Sequence, residues 1–486
     1  MTEPRQLYIG GGYRPASGEA VFETRNPFDN QPLATVQIAT EADVNAAVSA
    51  AQQGFALWSA KSGTERGRVL AKAAALIRSV RDEIAQMESL DGGKPLSETP
   101  EADVDSAADC LEYFAALAPS IGGERVDLGG PWFSTRREPL GVVGGIGAWN
   151  YPFQIAAWKA APALAAGNAM VFKPAELTPL SAYILAEIFT DAGLPPGVFN
   201  VVQGDGAVGQ MLTAHPGIAK ITFTGEVGTG KAVMAASAAS LKHVTLELGG
   251  KSPLVIFPDA DLDSAVAAAM MGNFYTNGQI CTNCTRVFVH ADIKQAFLER
   301  LIPRTERILL GDPLDPKVQM GPLVSPEHHA KVLSYIEKGK AEGAVCLTGG
   351  GTPSDPALAG RAFVAPTVFD CPSDDLTICR EEIFGPVMSL LTFTEEDEVI
   401  VRANSLPFGL AAGVMTRDGT RAQRVAARLE AGVVWINTYN ITPVEMPFGG
   451  SKQSGLGREN GRAAIEHVTQ VKSIYVEPEP LENPYQ

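Results

Sequence analysis

The side chains able to do covalent chemistry centre on GQICTNC at 278–284, which carries Cys281 and Cys284. A C-x-x-C pair can serve as a redox dithiol, as half of a zinc site, or as one nucleophilic thiol with a bystander. A structural zinc needs two more ligands at similar spacing. The chain has six His, and no second C-x-x-C or H-x-x-x-H lies nearby. A thioredoxin-like motif would follow a first strand, whereas this one lies deep in the second half. A single nucleophilic thiol is the stronger reading. At an ordinary pKa of ~8.5 only a few per cent of it is thiolate at neutral pH. It therefore needs partners: an oxyanion donor and, to release an acyl group to water, a base. Glu247, in VTLELGGKSP, stands at a strand end before Gly249 and Gly250. There it points into a cleft as a base or is a surface acid. Asn150, in GAWNYPF, follows a strand and precedes a helix. It is suited to donate to an oxyanion or to cap the helix after Pro152.

Two glycine-rich turns could face phosphate. GDGAVG (204–209) fits G-x-G-x-x-G between a strand and a helix, either as a pyrophosphate turn or as a plain one. FTGEVGTGK (223–231) approaches a P-loop, but Ala232 stands where a Ser or Thr hydroxyl must hold Mg²⁺. A P-loop NTPase is a poor reading. A turn receiving a dinucleotide phosphate at a helix N-terminus fits better.

The elements that must position these residues follow from hydrophobic periodicity. Amphipathic helices are expected at about 41–58, with Thr40 and Asp43 as a capping box, at 65–90, and at 101–118. From Leu140 the pattern alternates short apolar strands (141–146, 169–173, 198–202, 219–223, 244–248) with helices near 153–165, 179–191 and 207–214. A second alternating set has strands at 253–257, 285–290, 387–393 and 433–437, with helices near 261–276, 291–309, 325–342, 395–404 and 418–430. The pattern predicts two α/β units with mostly parallel, doubly covered sheets, joined near Gly249–Gly250. Residues 121–139 and the tail after about Val468 fit neither unit and read as arms that dock elsewhere.

Composition bounds the partners. The 486 residues are 45% hydrophobic and 19% charged, with a formal charge of −16, and mean hydropathy is +0.04. Such a chain buries large cores, and its field opposes nucleic acid and anionic membrane surfaces. No signal-peptide core opens the sequence, and the apolar run 153–172, interrupted by Lys159, Pro162 and Asn168, reads as a buried helix entering a strand. Six cysteines in a chain of this length form no disulfide scaffold, so a reducing cytoplasm is expected.

Taken in order, GAWNYPF, VFKPAE (171–176), FTGEVGTGK, LELGGKSP (246–253), GQIC (278–281) and EEIFGPV (381–387) closely resemble the NAD(P)-dependent aldehyde dehydrogenase superfamily, in spacing that covers nearly the whole chain. The resemblance implies a Rossmann-like cofactor domain (1–120 and 140–249), an α/β catalytic domain (250–450) and a β-hairpin oligomerisation arm (121–139 and 468–486) of a dimer or tetramer. By motif it makes Cys281 the nucleophile, Asn150 and the Cys281 N–H the oxyanion donors, and Glu247 the base that activates water. Lys159 and Glu459 align with the family's proton relay. Lys173 and Glu176 match the contacts to the adenosine ribose, Gly206 and Gly209 line the cofactor, and Gly225 sits in the phosphate turn. Glu382 falls on the nicotinamide ribose, Phe384 beside the nicotinamide, and Ile146, Trp149 and Phe223 along the cofactor. Glu176 would repel a 2′-phosphate, favouring NAD over NADP. Glu247 separates the chain from CoA-acylating relatives, so a free acid is the expected product.

Two positions depart from the common pattern. Glu226 replaces the usual Ser after FTG, and Cys284 replaces a Gly, close enough in sequence to trap Cys281 as a disulfide under oxidation. Tyr151, Trp158, Tyr275 and Phe448 resemble the aromatic box of betaine-aldehyde and aminoaldehyde dehydrogenases, whose quaternary ammonium substrates bind ring faces. CLEYFAALA (110–118), NTYN (437–440) and GRENGR (457–462) look like the same branch. Asp105 is the expected attractor for a cation at the entrance. Asp91 matches a potassium site found in some of these enzymes. A pocket for neutral aldehydes and a noncatalytic dinucleotide-binding protein are the alternatives.

Overall fold

The computed structural model describes residues 3–481 and 483–485. Met1 and Thr2 of the expected first unit, and Glu482 and Gln486 of the expected arm, lie outside the described residues. The apolar runs build two open sheets. In the first, Phe199–Val201, Ala169–Lys173, Val142–Ile146, Lys220–Gly225 and His243–Leu248 lie side by side in that order, all parallel. Short antiparallel strands close its edges, Leu7–Tyr8 and then Tyr13–Arg14 on one side and Gly455–Leu456 on the other. In the second, Thr367–Asp370, Val387–Phe393, Arg286–His290, Pro253–Ile256, Ala411–Met415 and Val433–Ile436 run parallel, with Val345–Thr348 antiparallel at one edge. Val142–Ile146, Ala169–Lys173 and Pro253–Ile256 are buried at every residue, which is why they read as unbroken apolar runs.

Helix Pro152–Ala166 is buried along nearly its whole length and ends at Gly167, whose φ of 98° suits glycine. Trp58 Nε1 and Arg66 Nε donate to its last carbonyls, those of Leu164 (2.8 Å) and Ala165 (3.0 Å). Strand Ala169–Lys173 follows at once, so the run 153–172 is a core helix entering a strand. No helix among the described residues is long and apolar enough to cross a membrane.

Several elements differ from expectation. The capping box of Thr40 and Asp43 is present, but the helix expected over 65–90 is two, Gly63–Ser79 and Arg81–Gly92. They part at Val80 (φ −118°), where neither Gly nor Pro marks a break. The helix expected over 101–118 opens as a π-turn, Pro100–Asp105, before Ser106–Leu117. The helix expected to reach 276 stops at Phe274. Strand Ala411–Met415 carries no branched run because Gly413 must be small: a Cβ there would lie 2.7 Å from Leu254 and 2.8 Å from Tyr439. The two unassigned segments meet: Trp132–Pro139 pairs antiparallel with Thr469–Val476, and Arg125–Asp127 completes a three-stranded ribbon.

In the first sheet the strand order reverses between Val142–Ile146 and Lys220–Gly225. The loops leaving the carboxyl ends of these strands open a crevice there. Residues just before the second sheet's strands, notably Cys281, Glu382 and Phe384, close it from the opposite side.

Candidate active site

One cleft of about 1600 Å³ lies between the sheets, larger than the ~300–1,000 Å³ of an ordinary ligand pocket and roomy enough for a cofactor and a substrate together. Every residue expected at the site lines it except Lys159 and Asp91.

Cys281 sits where the chain leaves a strained turn. Thr276 (φ 52°) and Asn277 (φ 57°) both adopt left-handed conformations that disfavour side chains. The turn is clamped: the Asn277 amide donates to the carbonyls of Gly93 (3.0 Å) and Pro322 (2.9 Å) and accepts from Gly321 N (2.7 Å). Glu98 Oε2 accepts from Thr276 N at 2.8 Å. The backbone N–H groups of Cys281 and Thr282 point at the thiol sulfur. Burial pushes the thiol up to about 12, and Glu382 and Glu247 add to the effect. Its surroundings therefore do not favour the thiolate: a desolvated negative charge between two acids is unfavourable.

Asn150 is not the helix cap. Tyr151 occupies that position without a capping side chain, and Asn150 Nδ2 donates instead to Gln279 O at 3.0 Å, two residues before Cys281. Glu247 is buried at the end of its strand, and neither carboxylate oxygen has a hydrogen-bond partner among the described residues. Burial and then the Glu459 charge hold its acid well above the usual carboxylate range, against the pull of Lys159 and Arg458. Lys159 Nζ donates to Glu459 Oε1 at 2.5 Å.

The cofactor side is built from strand ends. Lys173 closes its strand, and its Nζ lies 3.2 Å from Glu176 Oε2. Ile146, Trp149 and Phe223 supply apolar wall. Of the two glycine turns, GDGAVG spends an N–H of its first helical turn on itself, since the Asp205 side chain accepts from Ala207 N at 2.9 Å. Helix Val227–Ala238, entered through Gly225, has no side-chain cap, so its N-terminus is the freer anion site. Glu226 points outward and meets Lys331 at 3.2 Å across the mouth of the cleft. Glu382 Oε1 accepts from Gly250 N at 3.0 Å, and burial raises its acid to about 7. Phe384 holds a left-handed φ of 60°, braced by the Trp149 ring at 5.2 Å and by His328 Nε2, 2.7 Å from its carbonyl. A half-buried carboxylate facing the cleft, an uncapped helix N-terminus and a lysine–glutamate pair at a strand end fit a dinucleotide.

On the other side of Cys281 the aromatic residues converge. Trp158 and Phe448 meet edge to face at 5.6 Å, and Tyr151 OH bonds Thr276 Oγ1 at 2.8 Å. Tyr275 lines the same space. Asp105 is also there, but Arg81 holds it bidentately at 2.8 and 2.6 Å, so its charge is largely answered. Glu101, beside it in the cleft, has no ion-pair partner among the described residues. Cys284 is fully buried, does not line the cleft, and lies 3.6 Å from Asn273 Nδ2.

The profile of the aldehyde dehydrogenase family matches residues 13–474. The chain belongs to the aldehyde dehydrogenase family. Among solved structures it is similar to a putative aldehyde dehydrogenase from Burkholderia cenocepacia, at 41% identity and TM-score 0.97 over 99% of both chains. It is 43% identical to an aldehyde dehydrogenase from Bacillus cereus solved with NAD⁺, at TM-score 0.95 over 98% of this chain and 97% of that one. It is also 37% identical to a betaine aldehyde dehydrogenase from Staphylococcus aureus, at TM-score 0.96 over 99% of this chain and 96% of that one.

Sequence reading missed parts of this dehydrogenase site. His328 braces Phe384, and burial brings its imidazole down to about 4, so it is neutral. Beneath Tyr151 lies a buried group of Glu88, Lys94, Glu98 and Asp103, in which Lys94 pairs with Asp103 and stands 4.3 Å from the Tyr151 ring centre. Nothing in a helix-like stretch at 81–105 marks these residues as inward; the split at Val80 and the π-turn turn them in.

Proposed function

We propose that this aldehyde dehydrogenase is NAD-dependent and non-acylating, and that it oxidises a quaternary-ammonium or amino aldehyde, such as betaine aldehyde or 4-trimethylaminobutyraldehyde, to the free acid. The observation that carries the substrate is the convergence of Tyr151, Trp158, Tyr275 and Phe448 on the space beside Cys281. A trimethylammonium group donates no hydrogen bond, and each ring face contributes on the order of 0.5–2 kcal/mol.

Cys281 Sγ adds to the aldehyde carbon, and the oxyanion takes hydrogen bonds from Asn150 Nδ2 and Cys281 N–H. Bound NAD supplies the hydride acceptor and a positive charge that favours the thiolate. Glu382 and the Lys173–Glu176 pair hold the two riboses, and Glu176 disfavours a 2′-phosphate. Glu247 then takes a proton from water as that water attacks the Cys281 thioester, and Lys159 and Glu459 carry the proton onward. The burial that raises the Glu247 acid also makes its carboxylate a stronger base once ionised.

The ribbon of Trp132–Pro139 and Thr469–Val476, exposed at residues 470–475, is the arm of a dimer or tetramer on this reading. We assign residues 1–120 and 140–249 to cofactor binding, 250–450 to catalysis, and a cytoplasmic setting to the whole. The Asp91 carboxylate, the Thr24 hydroxyl 2.6 Å from it and the Leu177 carbonyl supply oxygen donors of the kind potassium takes.

A second reading is a neutral-aldehyde dehydrogenase. It is favoured by the pairing of Asp105 with Arg81 and of Asp109 with Arg78, and by Lys94 already standing over Tyr151. The test compares NADH formation from betaine aldehyde and from 3,3-dimethylbutanal, its neutral isostere, corrected for aldehyde hydration. A tenfold or greater preference for the cation in kcat/KM, about 1.4 kcal/mol, is expected. Equal rates discard the ammonium reading and keep the dehydrogenase. Loss of turnover in Cys281→Ser separates an enzyme from a dinucleotide-binding protein.

A further inference from the structure

On the reading proposed above, the proton of the hydrolysing water leaves the cleft through Glu247 at every turnover. Behind Glu247, two adjacent parallel strands turn polar side chains to one face. Lys220, Thr222 and Thr224 come from one strand, Thr245 and Glu247 from the other, with Thr222 paired in register with Thr245 and Thr224 with Glu247. Lys159 and Glu459 reach onto this face. Lys159 Nζ donates to Thr222 Oγ1 (3.1 Å) and to Glu459 Oε1 (2.5 Å), and Thr222 Oγ1 donates to Glu459 Oε1 (3.1 Å). Lys220 Nζ donates to Thr245 Oγ1 at 2.6 Å.

Two buried lysines share this face, and the carboxylate that answers them, Glu459, is held by Lys159. Two ammonium groups beside one carboxylate in a dry interior are unfavourable, so the second proton is weakly held. Burial, and then the Lys159 charge, brings the Lys220 ammonium down to about 7, against the pull of Glu459. His467, half-buried at the end of helix Ala464–His467, is kept below its ordinary value by burial and by the Lys220 charge. Glu466 and Arg458 are the other charged groups acting on His467, and Arg458 also acts on Glu247.

We propose that Lys220 is a positioning residue for deacylation: it is the far end of a proton path from Glu247 through Glu459, Lys159, Thr222 and Thr245, in which water in the cleft that Glu247 and Glu459 both line joins the first two. Lys220 touches neither substrate nor cofactor and acts through the Lys159–Glu459 pair. As the water oxygen bonds to the thioester carbon and the carbon–sulfur bond breaks, one proton of that water passes to Glu247 and the Cys281 sulfur leaves as thiolate. Glu247 gives its proton to the chain, a neutral Lys220 amine takes one up at the far end, and solvent receives it. The Thr222-to-Thr245 handover spans about one strand spacing, ~4.8 Å, a gap that a bridging water closes.

The test is Lys220→Met in the full-length enzyme, followed by stopped-flow NADH formation from about pH 6 to 9. The burst from the first hydride transfer should keep its amplitude. The steady-state rate should fall roughly tenfold or more, lose its dependence on a group near pH 7, and recover with added imidazole. A wild-type steady-state rate and pH profile overturn the proposal, as does a loss that imidazole leaves untouched. If Lys220→Met melts early, Thr245→Val carries the same expectation, and a wild-type profile there overturns it equally. Glu247→Gln runs beside them: steady turnover surviving in that variant sinks the hydrolytic reading itself, whereas failure of the Lys220 and Thr245 variants alone leaves that reading standing.

Discussion

Gly249→Ala is the smallest change that should break the link between the two sheets. A Cβ on Gly249 would stand 1.9 Å from Glu382 Oε2 and 2.5 Å from its carboxyl carbon. Ordinary contact begins near 3.4 Å, so the carboxylate must move by more than an ångström (~1.5 Å). That movement breaks the 3.0 Å bond from Gly250 N to Glu382 Oε1. A hydrogen bond to a charged group is worth about 1.5–3 kcal/mol, which converts to roughly 10- to 150-fold in affinity for whatever Glu382 holds. NAD affinity, read from quenching of tryptophan fluorescence in a cleft lined by Trp149, should fall by that factor. The melting temperature of the apoenzyme should drop as well, since overpacking costs about 1–3 kcal/mol. Adding Glu382→Ala removes the obstacle, so the double variant should regain the melting temperature while keeping the weak affinity. Unchanged NAD affinity in Gly249→Ala would refute the argument, and so would a double variant no more stable than the single one.

Lys94→Met should destabilise the fold by about 3–5 kcal/mol in chemical denaturation, because Glu88, Glu98 and Asp103 would keep no buried cation beside them. Burial raises the Asp91 acid to about 7 and the Glu98 acid to about 8, so each favours the folded state while protonated, and that contribution is lost as pH rises through those values. The melting temperature should therefore decline from about pH 4, where these acids ionise in the unfolded chain, to about pH 8, and level off above it, and Asp91→Asn with Glu98→Gln should flatten the decline. Because burial pushes the Cys281 thiol up to about 12, iodoacetamide should modify the apoenzyme slowly at neutral pH, about tenfold faster per pH unit; a plateau below pH 9 would contradict this. Cys284→Ala should leave activity and reversible peroxide inactivation as in wild type, since its thiol faces the core rather than the cleft; protection by that substitution would restore the disulfide idea.

The sequence alone determined the two α/β units, because residues of parallel strands are buried on both faces and must be apolar in continuous runs. It also determined the reactive types: a thiol in GQIC, an acid at a strand end and an amide before a helix are legible because their chemistry requires those side chains in those local settings. Departures such as Glu226 were visible, but not where they point; the structure turns Glu226 outward to Lys331. The tertiary structure decided what depends on neighbours distant in sequence. It assigned Asp105 to Arg81 rather than to solvent, and Cys284 to the core. It brought Lys220 and Thr222 beside Lys159 and Glu459, residues up to 300 positions apart in the chain. Protonation states belong to that second class entirely: Cys281, Glu247 and Lys220 carry ordinary side chains, and burial among particular charges displaces each of them.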